Sequence, residues 1–122
     1  SLPALQRSTK LQEQAAKVGF DWPEISGVIS KLKEEVVELE QAVNEEDRAK
    51  IEAELGDVFF TAINLSRHAE VDAEKALRGA NTRFEKRFSW VESELVRKGR
   101  LIEGETLQEL NQLWDKAKQN GL

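Results

Sequence analysis

Between Ile51 and Leu65 nearly every side of a helix would be apolar. Ile51, Leu55, Val58, Phe59, Phe60, Ala62, Ile63 and Leu65 leave one polar strip of Glu54, Asp57, Thr61 and Asn64. A helix of this kind belongs in an interior, so the segment demands partner helices on several sides. Its two acids then demand a counter-charge, because an ionised carboxylate taken out of water unpartnered is costly. Gly56 lies between them. Glycine inside a helix costs about 1 kcal/mol relative to alanine, which predicts a close approach to the backbone at that turn.

The rest of the chain also favours helix. It has two prolines, no alternating β-branched runs and abundant Ala, Leu, Glu, Lys and Gln. A first helix is predicted from about Pro3 to Val18, stopped by Gly19. Pro23 opens a second, with Ile25, Val28, Ile29, Leu32, Val36, Leu39 and Val43 at spacings of three or four. The third begins near Asp47 after the polar break Asn44 to Asp47. Asp72 is placed to cap a long fourth helix carrying Ala76, Leu77, Ala80, Phe84, Phe88, Val91 and Leu95, which Gly99 ends. Thr106 with Glu109 forms a capping-box pattern ahead of Leu107, Leu110, Leu113 and Trp114. The expected architecture is all-α: one domain over residues 1–122, an antiparallel bundle of four main helices plus a C-terminal helix. Its broad apolar faces exceed what 122 residues can cover, so completion by homodimerisation is expected.

Composition narrows the chemistry. Without cysteine there is no disulfide, thiol nucleophile or sulfur metal site, and any metal falls to oxygen ligands or to His68. No apolar run approaches the roughly 20 residues of a membrane span, and Ser1 to Lys10 lacks the apolar centre of a signal peptide, so a soluble, cytoplasmic protein is expected. A net charge of -5 argues against general adhesion to nucleic acid, although Arg83, Lys86 and Arg87 form a local basic cluster.

Two acid pairs stand out: Glu35 with Glu38 in the run Glu34-Glu35-Val36-Val37-Glu38, and Glu54 with Asp57. Residues three apart sit on neighbouring turns of one helix face, so two facing helices can aim four carboxylates at one point. At about 100° per residue, Glu35 falls roughly 70° from the centre of its helix's apolar stripe, Glu38 about 130° away and Glu34 nearly opposite. Acids three apart also occur on many solvated helix faces, and a non-catalytic helical scaffold is the competing reading. Hard oxygen ligands favour magnesium, manganese or calcium, and a phosphate ligand beside several carboxylates favours magnesium.

The ordered set of motifs resembles the MazG-type all-α nucleoside triphosphate pyrophosphohydrolases, whose signature is EExxE followed downstream by ExxD. The likeness runs through Val18 to Pro23, Glu34 to Glu38, Glu54 to Phe60, Asn64 to His68 and Ala80 to Phe88, and is closest to the C-terminal domain of two-domain MazG proteins. The resemblance implies magnesium-dependent hydrolysis of a nucleoside triphosphate between its α- and β-phosphates, with manganese as a possible substitute. It implies metal ligation by Glu35, Glu38, Glu54 and Asp57, and Glu34 as the group that orients or deprotonates water. It further implies nucleotide contacts at Lys50, Arg83, Lys86, Arg87 and Trp114. Arg83 stands where relatives often carry lysine. His68, Trp22 and Trp90 are expected to be structural.

Overall fold

The computed structural model describes residues 3–122; Ser1 and Leu2, the start of the N-terminal stretch discussed above, lie outside them. Helices α1 (Ala4–Lys17), α2 (Ile25–Asn44), α3 (Arg48–His68), α4 (Ala73–Arg97) and α5 (Leu107–Gln119) follow in order, with a 3-10 turn at Ile102–Gly104 before α5. No strand occurs among the described residues. The helix boundaries obey local chemistry. Asp47 accepts from the Lys50 amide at 3.2 Å, and Asp72 does the same for Lys75 at 3.2 Å. Thr106 and Glu109 form a reciprocal capping box. Gly19 and Gly99 take φ of 86° and 70° just past α1 and α4, a conformation that costs other residues dearly.

The chain divides into two compact units, one ending at Ala76 and one from Leu77 to Leu122. In the first, the three-residue connection Glu45 to Asp47 folds α2 and α3 into an antiparallel hairpin, and α1 packs on α3. The buried line of α2 is Val28, Glu35 and Ala42, spaced by seven, so a carboxylate occupies the middle of its inner face. The apolar residues one position on, Ile29, Val36 and Val43, are 39%, 49% and 51% exposed.

The enclosure expected for α3 does not occur within one chain. Only Thr61 is buried on it, and Phe59 is 60% exposed. The reason is geometric. Glu54, Thr61 and His68 recur every seven residues on one side, whereas Phe59 lies some 140° round from Glu54 at about 100° per residue. The neighbouring helices cover the first side and leave the other open.

In the second unit Val91, Leu95 and Leu113 form the core, packed by Trp90, Ile102 and Leu110. Phe84 stacks on Phe88 with ring centroids 5.8 Å apart and tilts against Trp114 at 5.3 Å. No helix among the described residues is long and apolar enough to cross a membrane.

Candidate metal centre

Hairpin register brings the acids together. Glu38 lies six residues before the end of α2 and Glu54 six residues after the start of α3, so the turn sets them level. Glu35 is one turn earlier on the same side. Oxygens of Glu35, Glu38 and Glu54 all lie within 4.8 Å of one another. Glu35 is 5% exposed. One oxygen of Glu35 and one of Glu54 are buried with no hydrogen-bond partner. The other Glu35 oxygen receives the Lys31 ammonium at 3.0 Å.

Three carboxylates at this separation repel one another. The charge of Glu35, then partial burial, then Glu54 push the Glu38 carboxyl above its ordinary value. Conversely, the hydrogen bond to Glu35, followed by the charge of Glu34, raises the Lys31 ammonium. Lys31 thus neutralises only part of the site. Buried, unpartnered, hard oxygen donors converging on one point are what a divalent cation of the magnesium or calcium type needs, and these residues fit such an ion.

The remaining expected site residues fall elsewhere. Asp57 does not join the group of three and is exposed. It is nine residues along α3, level with Glu35, but three residues on from Glu54 leaves it about 60° short of a full turn. Glu34 faces solvent, its side chain 58% exposed, 3.6 Å from Lys31. Lys50 is exposed and pairs with Glu45 at 3.1 Å. Among the described residues, nothing beyond the chain neighbours and the helix's own backbone comes within 4 Å of where a Gly56 side chain would begin, so the close approach expected there is not seen among them. In the second unit Arg83 and Lys86 are exposed. Arg87 lies over the Trp114 ring at 5.6 Å and donates from Nε to the Leu122 carbonyl at 2.9 Å.

Two features escaped the sequence reading. Lys31 was signalled by its position four residues before Glu35. The second is a polar cluster at the end of α3. Asp21 accepts from Arg67 Nη2 at 2.6 Å, from His68 Nε2 at 2.9 Å and from the Trp22 amide at 2.8 Å. Arg67 also donates to Asn64 at 2.8 Å. Arg67 foremost holds the Asp21 carboxyl well below the usual range, at about 2. Ionised Asp21 takes a proton-bearing Nε2, which fixes the His68 tautomer. His68 thereby ties the end of α3 to the loop before α2.

A carboxyl whose folded pKa is depressed stabilises the fold above its unfolded value and loses that contribution as pH falls through the folded one. Asp21→Asn is therefore expected to cost about 1 kcal/mol at neutral pH, after solvent screening of a partly exposed pair. The difference should shrink between about pH 5 and pH 2, read from urea denaturation of both proteins across that range.

Comparison with known proteins agrees with the geometry. Residues 24–91 match the MazG nucleotide pyrophosphohydrolase domain. A nucleoside triphosphate pyrophosphohydrolase of Escherichia coli K12 is 42% identical over 122 residues, covering 97% of this chain and 46% of that protein. The nucleoside triphosphate pyrophosphohydrolase/pyrophosphatase MazG of Thermotoga maritima is 40% identical over 117 residues, covering 96% of this chain and 45% of that protein. The uncharacterized protein YabN of Bacillus subtilis is 37% identical over 69 residues. The chain spans about half the length of the first two relatives. With a domain match over more than half its residues that includes every carboxylate of the cluster, the chain belongs to the MazG nucleotide pyrophosphohydrolase domain family.

Proposed function

We propose that the chain is a magnesium-dependent nucleoside triphosphate pyrophosphohydrolase, cleaving between the α- and β-phosphates to give a nucleoside monophosphate and pyrophosphate. The observation that carries this reading is the convergence of Glu35, Glu38 and Glu54 with two buried, unpartnered oxygens, in a chain of this family. Residues 1–122 act in this proposal as one catalytic domain, in keeping with a family match that runs through the boundary between the two units.

Magnesium, or manganese in its place, would be held by Glu35, Glu38 and Glu54 with Asp57 beside them, and would supply neutralisation of phosphate charge and easier deprotonation of water. Lys31 holds one oxygen of Glu35 at 3.0 Å. Glu34, solvated and adjacent to that pair, accepts the proton from the water that attacks the α-phosphorus. Lys50 carries a positive charge one turn before Glu54. Arg83, Lys86, Arg87 and Trp114 are proposed nucleotide contacts on family resemblance alone. A cytoplasmic setting, with nucleoside triphosphates and without nucleic acid as partner, suits this chemistry.

A homodimer belongs to the same proposal. The open line of Ile29, Val36 and Val43 and the uncovered Phe59 leave the α2–α3 hairpin with apolar surface that a second copy would bury. Sedimentation equilibrium is expected to give twice the chain mass, and Phe59→Glu to shift it toward the single chain.

Product analysis tests the reaction. Wild type and Asp57→Ala are incubated with each common nucleoside triphosphate, with magnesium or chelator. Monophosphate and pyrophosphate, formed only by wild type with metal, are expected. Diphosphate with orthophosphate would refute the cleavage position. Absence of turnover with every nucleotide would return the fold to the scaffold reading.

A further inference from the structure

Lys31, Glu35 and Glu38 follow one another on α2 at spacings of four and three residues, so the lysine stands on the acidic face, one turn before the innermost carboxylate of the cluster. Its Nζ is 3.0 Å from Glu35 Oε1 and 3.6 Å from Glu34 Oε1. The two ends of the Glu35 pair are unlike, since the lysine side chain is 36% exposed and the glutamate 7%. Pairs four residues apart add little to a helix, and lysine ahead of glutamate is the weaker order. Helix stability therefore gives little reason for this lysine, and its effect falls on the acids.

When ionised, Glu35, Glu38 and Glu54 bring three negative charges to oxygens that lie within 4.8 Å of one another, and Lys31 returns one positive charge. Glu35 is divided between two tasks. Its Oε1 receives the ammonium, while its Oε2, like Oε2 of Glu54, is buried without a hydrogen-bond partner. A dication drawn to the open oxygens thus shares the Glu35 carboxylate with a cation already fixed there. Attraction by the acids and repulsion by the ammonium act on it together, and water screens neither fully at a buried carboxylate. The hydrogen bond to Glu35, then the charges of Glu34 and Glu35, hold the Lys31 ammonium above its ordinary value, so it stays charged at neutral pH.

We propose that Lys31 is a positioning residue of the metal centre, a tethered counter-ion that holds Glu35 while no metal is bound and whose charge loosens the grip of the acids on the cation that enters. A loosely held cation can arrive and leave with the phosphates of substrate and product, which bind it themselves. This deepens the proposed function and rests on it for the identity of the cation.

Manganese binding without nucleotide, followed on the whole chain by the electron paramagnetic resonance of the free ion, tests the proposal. Wild type is compared with Lys31→Met, Lys31→Gln, Lys31→Arg and Lys33→Met. Methionine and glutamine keep an unbranched side chain and the helix preference of lysine. Each is expected to lower the manganese dissociation constant about tenfold, whereas Lys31→Arg, which keeps the charge, should stay within about twofold of wild type. Lys33 is exposed and about 200° round the helix from Lys31, so Lys33→Met makes the same change in net charge and should leave manganese binding unmoved. Thermal scans add a reading that a merely structural ion pair would not move. Metal-free Lys31→Met should melt below wild type, and magnesium should raise its melting temperature by more than it raises that of wild type.

Equal or weaker manganese binding by both neutral variants of Lys31 overturns the proposal. So does an equal gain from Lys33→Met, which would make the effect one of net charge alone. Failure of wild type and the Lys31 variants alike to bind manganese would overturn it together with the metal centre. Tighter binding by the neutral variants, with no triphosphate turned over by any protein, would sink the catalytic reading and leave the role of Lys31 standing.

Discussion

Replacing Glu54 by glutamine is expected to lower nucleoside triphosphate turnover by at least about 1,000-fold while making the metal-free protein more stable, not less. The two effects have one cause. Glu35, Glu38 and Glu54 present oxygens within 4.8 Å of one another, and the Lys31 ammonium pairs with Glu35. Removing one charge relieves a repulsion that already pushes Glu38 above its ordinary value. The pH dependence has a definite sign. A carboxyl whose folded pKa is raised destabilises the fold as pH rises from the unfolded value through the folded one, so metal-free wild type should melt lower at pH 7 than at mildly acidic pH on this account. Glu54→Gln should flatten that dependence. A ligand at 100 times its dissociation constant stabilises by about 2.7 kcal/mol, so magnesium should raise the melting temperature of wild type and leave that of Glu54→Gln unmoved. Thermal scans with and without magnesium separate the outcomes. A wild type indifferent to magnesium, or a Glu54→Gln that is less stable without it, would mean that the acids are held by something other than their need for a cation.

The four long helices and the last one were legible because their periodicity and caps act locally. Asp47, Asp72 and the Thr106–Glu109 box bond backbone amides within three residues, and Gly19 and Gly99 adopt the left-handed conformation where a glycine was the signal. The tight turn at Ile102–Gly104 carried no comparable signal.

The site was legible to the level of a face but not of an atom. Spacing put Glu35 about 70° from the middle of an averaged apolar stripe, whereas the hairpin buries the line Val28, Glu35, Ala42. An average over seven apolar residues does not say which of them a partner helix will cover. Here Ile29, Val36 and Val43 are left half open, and the carboxylate goes in. The same limit applies to Asp57, which spacing grouped with Glu54 and which is exposed, next to the three carboxylates whose oxygens converge. Contacts between distant segments, such as Asp21 with Arg67, or Gln12 Nε2 donating to the Phe60 carbonyl at 2.9 Å, have no local signature at all.

Leu95→Ala is expected to cost about 2–5 kcal/mol, a large part of the roughly 5–15 kcal/mol that holds a domain together. Leu95 is 2% exposed and sits among Val91, Leu113, Trp90, Ile102 and Leu110, so its truncation leaves a cavity in a core of few side chains. The next residue makes the control. Val96 is 72% exposed, and Val96→Ala should stay within about 0.5 kcal/mol of wild type. Both residues are aliphatic and adjacent on α4, so only their direction separates them. Urea denaturation followed by circular dichroism at one pH measures both differences. Near-equal costs at the two positions would mean that the face of α4 bearing Val96 is covered in solution. A small cost at both would mean that the end of α4 and α5 contribute little to the cooperative unit, and that stability rests on the α2–α3 hairpin.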